Sequence, residues 1–311
     1  MQIGNIQFNH FPLLLAPMED VTDASFRRMA KYYGADLMYT EFVASEAIVR
    51  NVEKSMQKMR IEHAERPIGI QLYGHQIDSM AEAARIATSM NPDLIDINYG
   101  CPVKKIANRG AGAGMMRDVP KLIAMTEAIV KATHVPVTVK TRLGWDADSK
   151  NIVEIAEKLQ DTGIQALTIH GRTRAQLYKG EADWSLIGEI KNNPRIHTPI
   201  IGNGDITDGP KAQEYINRYG VDGIMIGRGA IGKPWVFKEI RHYLENGQAM
   251  GDIPVEEKVM LARMHFEESL KIKGIPRGIY EMRTQFIHYF KGLPDFKPIR
   301  MRLVTTLDIP E

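Results

Sequence analysis

The residues of this chain best suited to chemistry lie between Asp93 and Met116, in the stretch DLIDINYGCPVKKIANRGAGAGMM. Cys101 is the only cysteine, and it follows a short apolar run, Leu94–Asn98, that Tyr99-Gly100 breaks. A thiol in the loop beyond a strand end sits where α/β barrels keep their chemistry. Pro102, Lys104, Lys105 and Arg109 follow it in sequence, and turn residues with positive charge favour a reachable, reactive thiol over a buried structural one. A run of small residues, Gly110-Ala111-Gly112-Ala113-Gly114, follows soon after.

A loop of this kind needs a scaffold of strands and helices, and the chain repeats one. Strand-like apolar runs occur at Leu13–Ala16, Leu37–Thr40, Ile68–Tyr73, Leu94–Asn98, Val135–Lys140, Ala166–His170, Pro199–Gly202 and Ile224–Gly227. Segments with helical spacing lie between them, among them Ser25–Tyr33, Ile77–Ser89, Pro120–Ala132, Ile152–Thr162 and Pro210–Tyr219. Eight strands alternating with helices predict an α/β fold, a (β/α)8 TIM barrel. A doubly wound open sheet shares the alternation, but no G-x-G-x-x-G follows the first strand.

The carboxyl ends of these strands carry Pro17-Met18, Glu41, Gln71, Asn98, Lys140, Arg142, His170, Arg172, Asn203-Gly204-Asp205 and Gly227-Arg228-Gly229. Rim loops are polar in any barrel. Gln71, Asn98 and Lys140, however, fall within or at the edge of apolar strands, where an unpaired polar group is costly. They predict an active site at this rim. The last two loops, GNGD at Gly202–Asp205 and GRGAIG at Gly227–Gly232, are rich in glycine, and the corresponding loops of barrels commonly bind phosphate through backbone N–H groups. With Lys140 and Arg228 they suit a cofactor bearing a phosphate at one end and an electron-rich ring over the barrel mouth, which is the shape of FMN.

The whole chain limits the alternatives. A length of 311 residues, 44% hydrophobic and 25% charged, suits a soluble barrel with a small addition. One cysteine excludes an intramolecular disulfide and fits a reducing compartment. No N-terminal signal and no apolar run of roughly 18 residues is visible, so a cytoplasmic protein without a membrane span is expected. A net charge of +2 does not by itself argue for nucleic acid. No ligand spacing suggests a metal, and nothing demands more than a monomer.

Gly247–Pro254 reads as a linker, so residues 1–246 are expected to form the barrel and 254–311 a small helical domain. Helical spacing covers Val255–Lys273, Arg277–Lys291 and Phe296–Leu307, with ten Lys/Arg against eight Asp/Glu from Pro254 onward. A solvated basic face accounts for that spacing. Basic residues interleaved with aromatics also suit RNA, with Arg277, Arg283, Lys291, Lys297, Arg300 and Arg302 as candidate contacts.

Taken together, the motifs APMEDVTD (Ala16–Asp23), TEF (Thr40–Phe42), QLYG (Gln71–Gly74), DINYGCPVKK (Asp96–Lys105), KTRLGW (Lys140–Trp145), IHGRTR (Ile169–Arg174), NGDI (Asn203–Ile206) and MIGRGAIGKPW (Met225–Trp235) resemble the tRNA-dihydrouridine synthases, in that family's order and over nearly the whole barrel. The segment IQALTIHGRTRAQLYKGEADW looks most like the bacterial B-type branch. Glu19-Asp20 departs from the family pattern, in which glycine usually stands at the second position. The resemblance implies FMN-dependent reduction of the C5–C6 double bond of specific tRNA uridines, with NADPH (or NADH) as electron donor. It implies Cys101 as proton donor, and a thiol of reference pKa about 8.5 can act as that general acid. It places Pro17, Met18, Glu19, Gln71, Lys140, His170, Asn203, Gly204, Asp205, Gly227 and Arg228 at FMN, and Asn98, Arg142 and Arg172 at the substrate. It also gives the helical domain the grip on tRNA. Two other readings are a flavin barrel reducing a free pyrimidine or small enone, similar to dihydroorotate dehydrogenases, and an RNA-binding protein with a vestigial flavin site. The helical extension and IHGRTR disfavour the former, and the set Cys101, Lys140 and His170 the latter.

Overall fold

Successive side chains of a strand point to opposite faces, and in this chain both faces are buried. The structure, a computed structural model, describes residues 1–307. Its barrel strands are β1 (Leu13–Leu15), β2 (Met38–Tyr39), β3 (Ile68–Tyr73), β4 (Leu94–Tyr99), β5 (Val137–Arg142), β6 (Ala166–His170), β7 (Ile200–Asn203) and β8 (Gly223–Ile226). They are parallel, in the spatial order β1-β8-β7-β6-β5-β4-β3-β2. The Leu15 amide donates to the Leu37 carbonyl at 3.0 Å, which closes the ring between β1 and β2. The TIM barrel expected from the alternation is therefore present.

The helices α1 (Ala24–Tyr32), α2 (Ile77–Ser89), α3 (Val119–Ala132), α4 (Ile152–Asp161), α5 (Ser185–Asn192), α6 (Gly209–Tyr219) and α7 (Val236–Asn246) cover the strands, and two short helices, Ser45–Val49 and Glu53–Lys58, follow β2. Local chemistry sets their ends: Asp23, Asp118 and Asp208 accept backbone N–H groups at the starts of α1, α3 and α6. The fifth strand begins and ends two residues later than expected. Pro136 has no N–H to donate, whereas Thr141 and Arg142 continue the pairing with Tyr99 and His170. Arg142 thus belongs to the strand rather than to the loop.

Ile70, Leu72, Ile95, Ile97, Val137, Val139, Leu167 and Ile169 face the helices and form the main core. Leu14, Tyr39, Leu94, Ala166, Ile201 and Met225 fill the lower barrel, and Ile3 of a small N-terminal hairpin packs against them. Further up the same inward face stand Gln71, Asp96, Asn98, Thr138, Lys140, Thr168, His170 and Asn203. Register sets them side by side: Asp96 opposite Thr138, Asn98 opposite Lys140, His170 opposite both Arg142 and Asn203. The upper barrel is therefore polar because pleat and register converge there.

Beyond Gly247, which closes α7 in the left-handed conformation, come α8 (Val255–Lys273), α9 (Arg277–Tyr289) and α10 (Lys297–Thr305). Leu261, Met282, Phe286 and Tyr289 from these helices pack with Met29 and Tyr33 of the α1 region and with Trp235. Tyr289 stacks on Trp235 with ring centroids 6.1 Å apart, and a side chain at Gly232 would collide with His288. Lys273 pairs with Asp23 and Glu281, and Arg28 with Glu268. The C-terminal helices thus seat on the β1/β8 side of the barrel, behind the first and last rim loops. Among the described residues no helix is long and apolar enough to cross a membrane.

Candidate active site at the carboxyl ends of the strands

A buried ladder of polar side chains leads from the barrel interior to Cys101. The Thr138 hydroxyl donates to Asp96 at 2.5 Å, and Gln71 Nε2 donates to the other Asp96 oxygen at 2.6 Å. Gln71 Oε1 is thereby turned toward Asn98, whose Nδ2 donates to it at 2.8 Å. Asn98 Oδ1 is left to accept the backbone amides of Gly100 at 3.0 Å and Cys101 at 2.8 Å. Burial pushes the Asp96 carboxyl up to about 6, against its hydrogen bonds and Lys140. At neutral pH it is an acceptor, and that sets the orientation of both amides above it.

Cys101 lies at the wall of the cavity and is 6% exposed. Gly112 passes it at φ +55, and a Cβ there would come within 2.9 Å of the Cys101 Cβ. Here the structure corrects the sequence reading. Lys104, Lys105 and Arg109 are exposed, and the cations acting on the thiol are Arg142 and Lys140. Burial outweighs them and holds the thiol above its ordinary value. The group keeps its proton, which suits an acid rather than a thiolate nucleophile.

The opposite wall is cationic. Lys140 is half-buried and donates to Asn203 Oδ1 at 3.1 Å; desolvation, with Arg142 adding to it, pushes its ammonium down to about 8. Asn203 Nδ2 in turn donates to the Met225 carbonyl at 2.7 Å. His170 is held well below its usual range by burial and by the surrounding cations. Its Nε2 lies 3.2 Å from Arg172, so the neutral ring accepts there and carries its hydrogen on Nδ1. Arg142 donates to the carbonyls of Gly100 at 2.7 Å, Thr173 at 3.0 Å and Leu177 at 2.9 Å, tying the Cys101 loop to the loop after β6. Asp205 accepts from Arg172 and the Ala182 amide, both at 2.7 Å, and from Arg228 at 2.9 Å. It fixes the Arg228 guanidinium at the cavity edge.

Between these walls lies a cavity of about 670 Å³. Of the expected residues, Pro17, Met18, Glu19, Asn98, Cys101, Lys140, Arg142, His170, Asn203, Gly204, Asp205, Gly227 and Arg228 line it. Gln71 and Arg172 do not. Gln71 is fully buried beneath Asn98, and Arg172, 1% exposed, is committed to Asp205 and to the carbonyls of Lys179 and Gly180. Glu19 lines the mouth but is paired with Lys58. Glu19, Asp20 and Glu41 each offer an oxygen within 4.8 Å of one another, and the Lys58 ammonium, 3.5 Å from Glu41, supplies positive charge there. Asp20 takes φ +58, where glycine costs least and Asp is among the better tolerated residues, so the first loop keeps its turn without a glycine.

Sequence reasoning missed Tyr178, Phe42, Thr207 and Ile231, which also line the cavity. Tyr178 packs between two guanidiniums, Arg142 at 5.7 Å and Arg228 at 4.9 Å from its ring centroid. It lies eight residues beyond β6 in an irregular loop, and no periodicity marks such a position.

This cavity fits a phosphate-bearing flavin. Lys140, Arg142 and Arg228 face it, while Asp205 alone lines that side as a carboxylate and is already shared by two arginines. Gly204, at φ +121, has room for no side chain, since a Cβ would fall 2.7 Å from Ala182 and 2.9 Å from the His170 ring. At Gly229 a Cβ would meet the Ile206 carbonyl. Packing thus requires glycine at both positions, and the loops that carry them line the cavity with main chain as well as side chains.

Comparison with known proteins places the chain in a family. The sequence profile of the family described as Dihydrouridine synthase (Dus) matches residues 14–306. A "Probable tRNA-dihydrouridine synthase" of Rickettsia prowazekii (strain Madrid E) is 40% identical over 301 residues, covering 96% of this chain and 91% of that protein. The "tRNA-dihydrouridine synthase B" of Vibrio vulnificus (strain CMCP6) is 42% identical, covering 83% and 79%. Among solved structures, morphinone reductase superposes with a TM-score of 0.57 at 13% identity over 81% of this chain and 90% of its own, a likeness of fold alone. Matched along nearly its whole length, the chain belongs to the dihydrouridine synthase family and is a flavin-dependent oxidoreductase.

Proposed function

We propose that this enzyme reduces the C5–C6 double bond of uridines in tRNA, with FMN as its flavin and NADPH (or NADH) as electron donor. The carrying observation is Cys101, a thiol kept protonated by burial, on the wall of a cavity whose other side is cationic. FMN, when bound, supplies the hydride to one alkene carbon. Negative charge then develops on the other carbon, conjugated with the uracil carbonyl, and the Cys101 thiol delivers the proton that neutralises it. Asn98 holds the Cys101 backbone through its Oδ1, and the second hydrogen of its Nδ2 is left for the uracil edge. Lys140 and neutral His170 are placed for the flavin's polar edge, where the lysine charge stabilises the reduced form. Arg228, Gly204, Gly227 and the backbone N–H groups of the last two loops are placed for its phosphate. Pro17 and Met18 supply apolar wall, and Asp205 acts through Arg228. Arg172, held behind the cavity, acts as a positioning residue for Asp205 and His170 rather than as a substrate contact.

A uridine in folded tRNA must leave its stack to reach this cavity, at a cost of a few kcal/mol. Residues 254–311 are the proposed grip. Within them His288, Lys291, Phe296, Lys297 and Arg300 line a groove of about 490 Å³, combining cations with an aromatic ring. Arg277 is paired with Glu281, and Arg283 donates to the carbonyls of Thr305 and Thr306, which makes Lys291, Lys297 and Arg300 the stronger RNA contacts.

The test is anaerobic. Reduced, flavin-loaded protein is mixed with tRNA lacking dihydrouridine, and flavin reoxidation is followed by absorbance. Fast reoxidation by that tRNA, and none by fully modified tRNA, is expected. Reoxidation by free uracil or orotate but not by tRNA overturns the proposal in favour of a small-molecule reductase.

A further inference from the structure

Outside the cavity, three successive rim loops assemble a second group of aromatic and cationic side chains. Trp145, three residues beyond β5, has the Arg174 guanidinium 4.4 Å and the Arg117 guanidinium 4.8 Å from its ring centroid. Arg117 ends the 3-10 turn Gly112–Arg117 that follows the Cys101 loop, and Arg174 lies four residues beyond β6. The assembly is held by backbone. The Arg174 amide donates to the Gly144 carbonyl at 2.9 Å, and the Ala175 amide to the Trp145 carbonyl at 2.8 Å. Gly144 admits no side chain, because a Cβ would meet the Ser149 carbonyl.

Neither arginine forms an ion pair among the described residues. The acidic groups beside them in sequence are engaged elsewhere: Asp118 accepts the Lys121 amide, and Asp146 accepts from Ser149 and the Asp148 amide. Arg174 Nε is buried without an acceptor, so protein groups leave this guanidinium only partly satisfied. Arg117 is exposed, Trp145 half-buried, and none of the three side chains lines the cavity.

Their place in the ring decides which anion. In an eight-stranded barrel with this strand order, β5 stands across the mouth from β1. The C-terminal helices sit on the β1/β8 side, so Trp145 lies on the far side of the same opening. We propose that Arg117, Trp145 and Arg174 form a second RNA-contact surface, which binds backbone phosphates of the substrate RNA on the far side of the mouth. This rests on the tRNA reading above. The guanidiniums meet phosphate and the indole they lie over holds them in place, an arrangement suited to gripping RNA backbone beside an extruded base. An RNA gripped at both sides of the mouth is fixed in angle over the cavity, and one gripped only by the helices is not.

The probe is an in-vitro transcribed tRNA, which lacks dihydrouridine, with Arg117→Gln/Arg174→Gln and the single variant Arg117→Glu compared with the parent, all flavin-loaded. If the parent neither binds this tRNA nor is reoxidised by it, the functional reading itself fails. If the parent reacts, the double variant is expected to bind tRNA at least tenfold more weakly. Its plot of log affinity against log salt should be shallower by about 1 for each arginine removed. Flavin content and the rate of flavin reoxidation by dioxygen should be unchanged, and the loss should appear in KM for tRNA rather than in kcat. Arg117→Glu, at an exposed position, gives the same direction without disturbing the loop core. Unchanged affinity and slope overturn the proposal. So does loss of flavin from the variants, which would assign these side chains to the barrel itself. A raised KM for NADPH with tRNA affinity intact also overturns it and makes the site one for a dinucleotide phosphate.

Discussion

Asn98 joins Gln71 and Cys101 through opposite ends of one amide: its Nδ2 donates to Gln71 Oε1 at 2.8 Å and its Oδ1 accepts the Cys101 amide at 2.8 Å. The thiol is therefore positioned by a network that begins at a buried carboxylate. Cys101→Ala is expected to retain flavin and to lose about 10²–10⁴-fold in the rate of tRNA-dependent flavin reoxidation, the usual worth of a general acid. Cys101→Ser should recover part of that rate. Asn98→Ala should slow the parent but add little to Cys101→Ala, because the two residues act as one unit. Single-turnover absorbance measurements on the parent, the three single variants and the Asn98→Ala/Cys101→Ala double variant decide it, and additive losses would separate Asn98 from the thiol.

Lys140, if it holds the flavin as proposed, gives flavin affinity a pH dependence. Burial, and then Arg142, bring its ammonium down to about 8, so the charge is present at pH 7 and is lost as pH rises through 8. Affinity of the apoprotein for FMN is expected to fall between pH 7 and 9. In Lys140→Met affinity should be weaker at pH 7 and nearly flat over that window. Quenching of FMN fluorescence on titration measures both. An equal pH dependence in parent and variant would place the titrating group elsewhere.

Asp96 gives a stability signature of definite sign. Its folded-state value of about 6 lies above the ordinary 3.8, so the folded protein holds a proton there that the unfolded chain has released. The group contributes most at low pH, and that contribution disappears as pH rises from about 4 to 6, a change of about 3 kcal/mol. Asp96→Asn keeps an oxygen for Gln71 and can donate to Thr138. It should be no less stable than the parent at pH 7.5 and should lack this part of the pH profile. Asp96→Leu leaves both partners without an acceptor and should cost about 1–3 kcal/mol at any pH. Urea denaturation between pH 4 and 8 gives the comparison.

The sequence by itself determined the barrel, since eight apolar runs alternating with helical spacing leave few other arrangements, and local caps such as Asp23, Asp118 and Asp208 set helix ends without help from distant residues. It also pointed to the polar upper barrel, because Gln71, Asn98 and Lys140 interrupt apolar strands at a cost that a shared polar network repays. The tertiary structure decided the rest. Pleat and register, which pair residues tens of positions apart, set Gln71 behind Asn98 and Arg172 behind Asp205 rather than in the cavity. The environment of Cys101 was likewise nonlocal: its sequence neighbours Lys104, Lys105 and Arg109 point to solvent, whereas burial and the distant Arg142 and Lys140 govern its proton. Tyr178 and the Trp145 group come from loops whose positions follow from backbone bonds between them and from no local pattern. A strand's periodicity is a property of neighbours, but a site is built where strands meet.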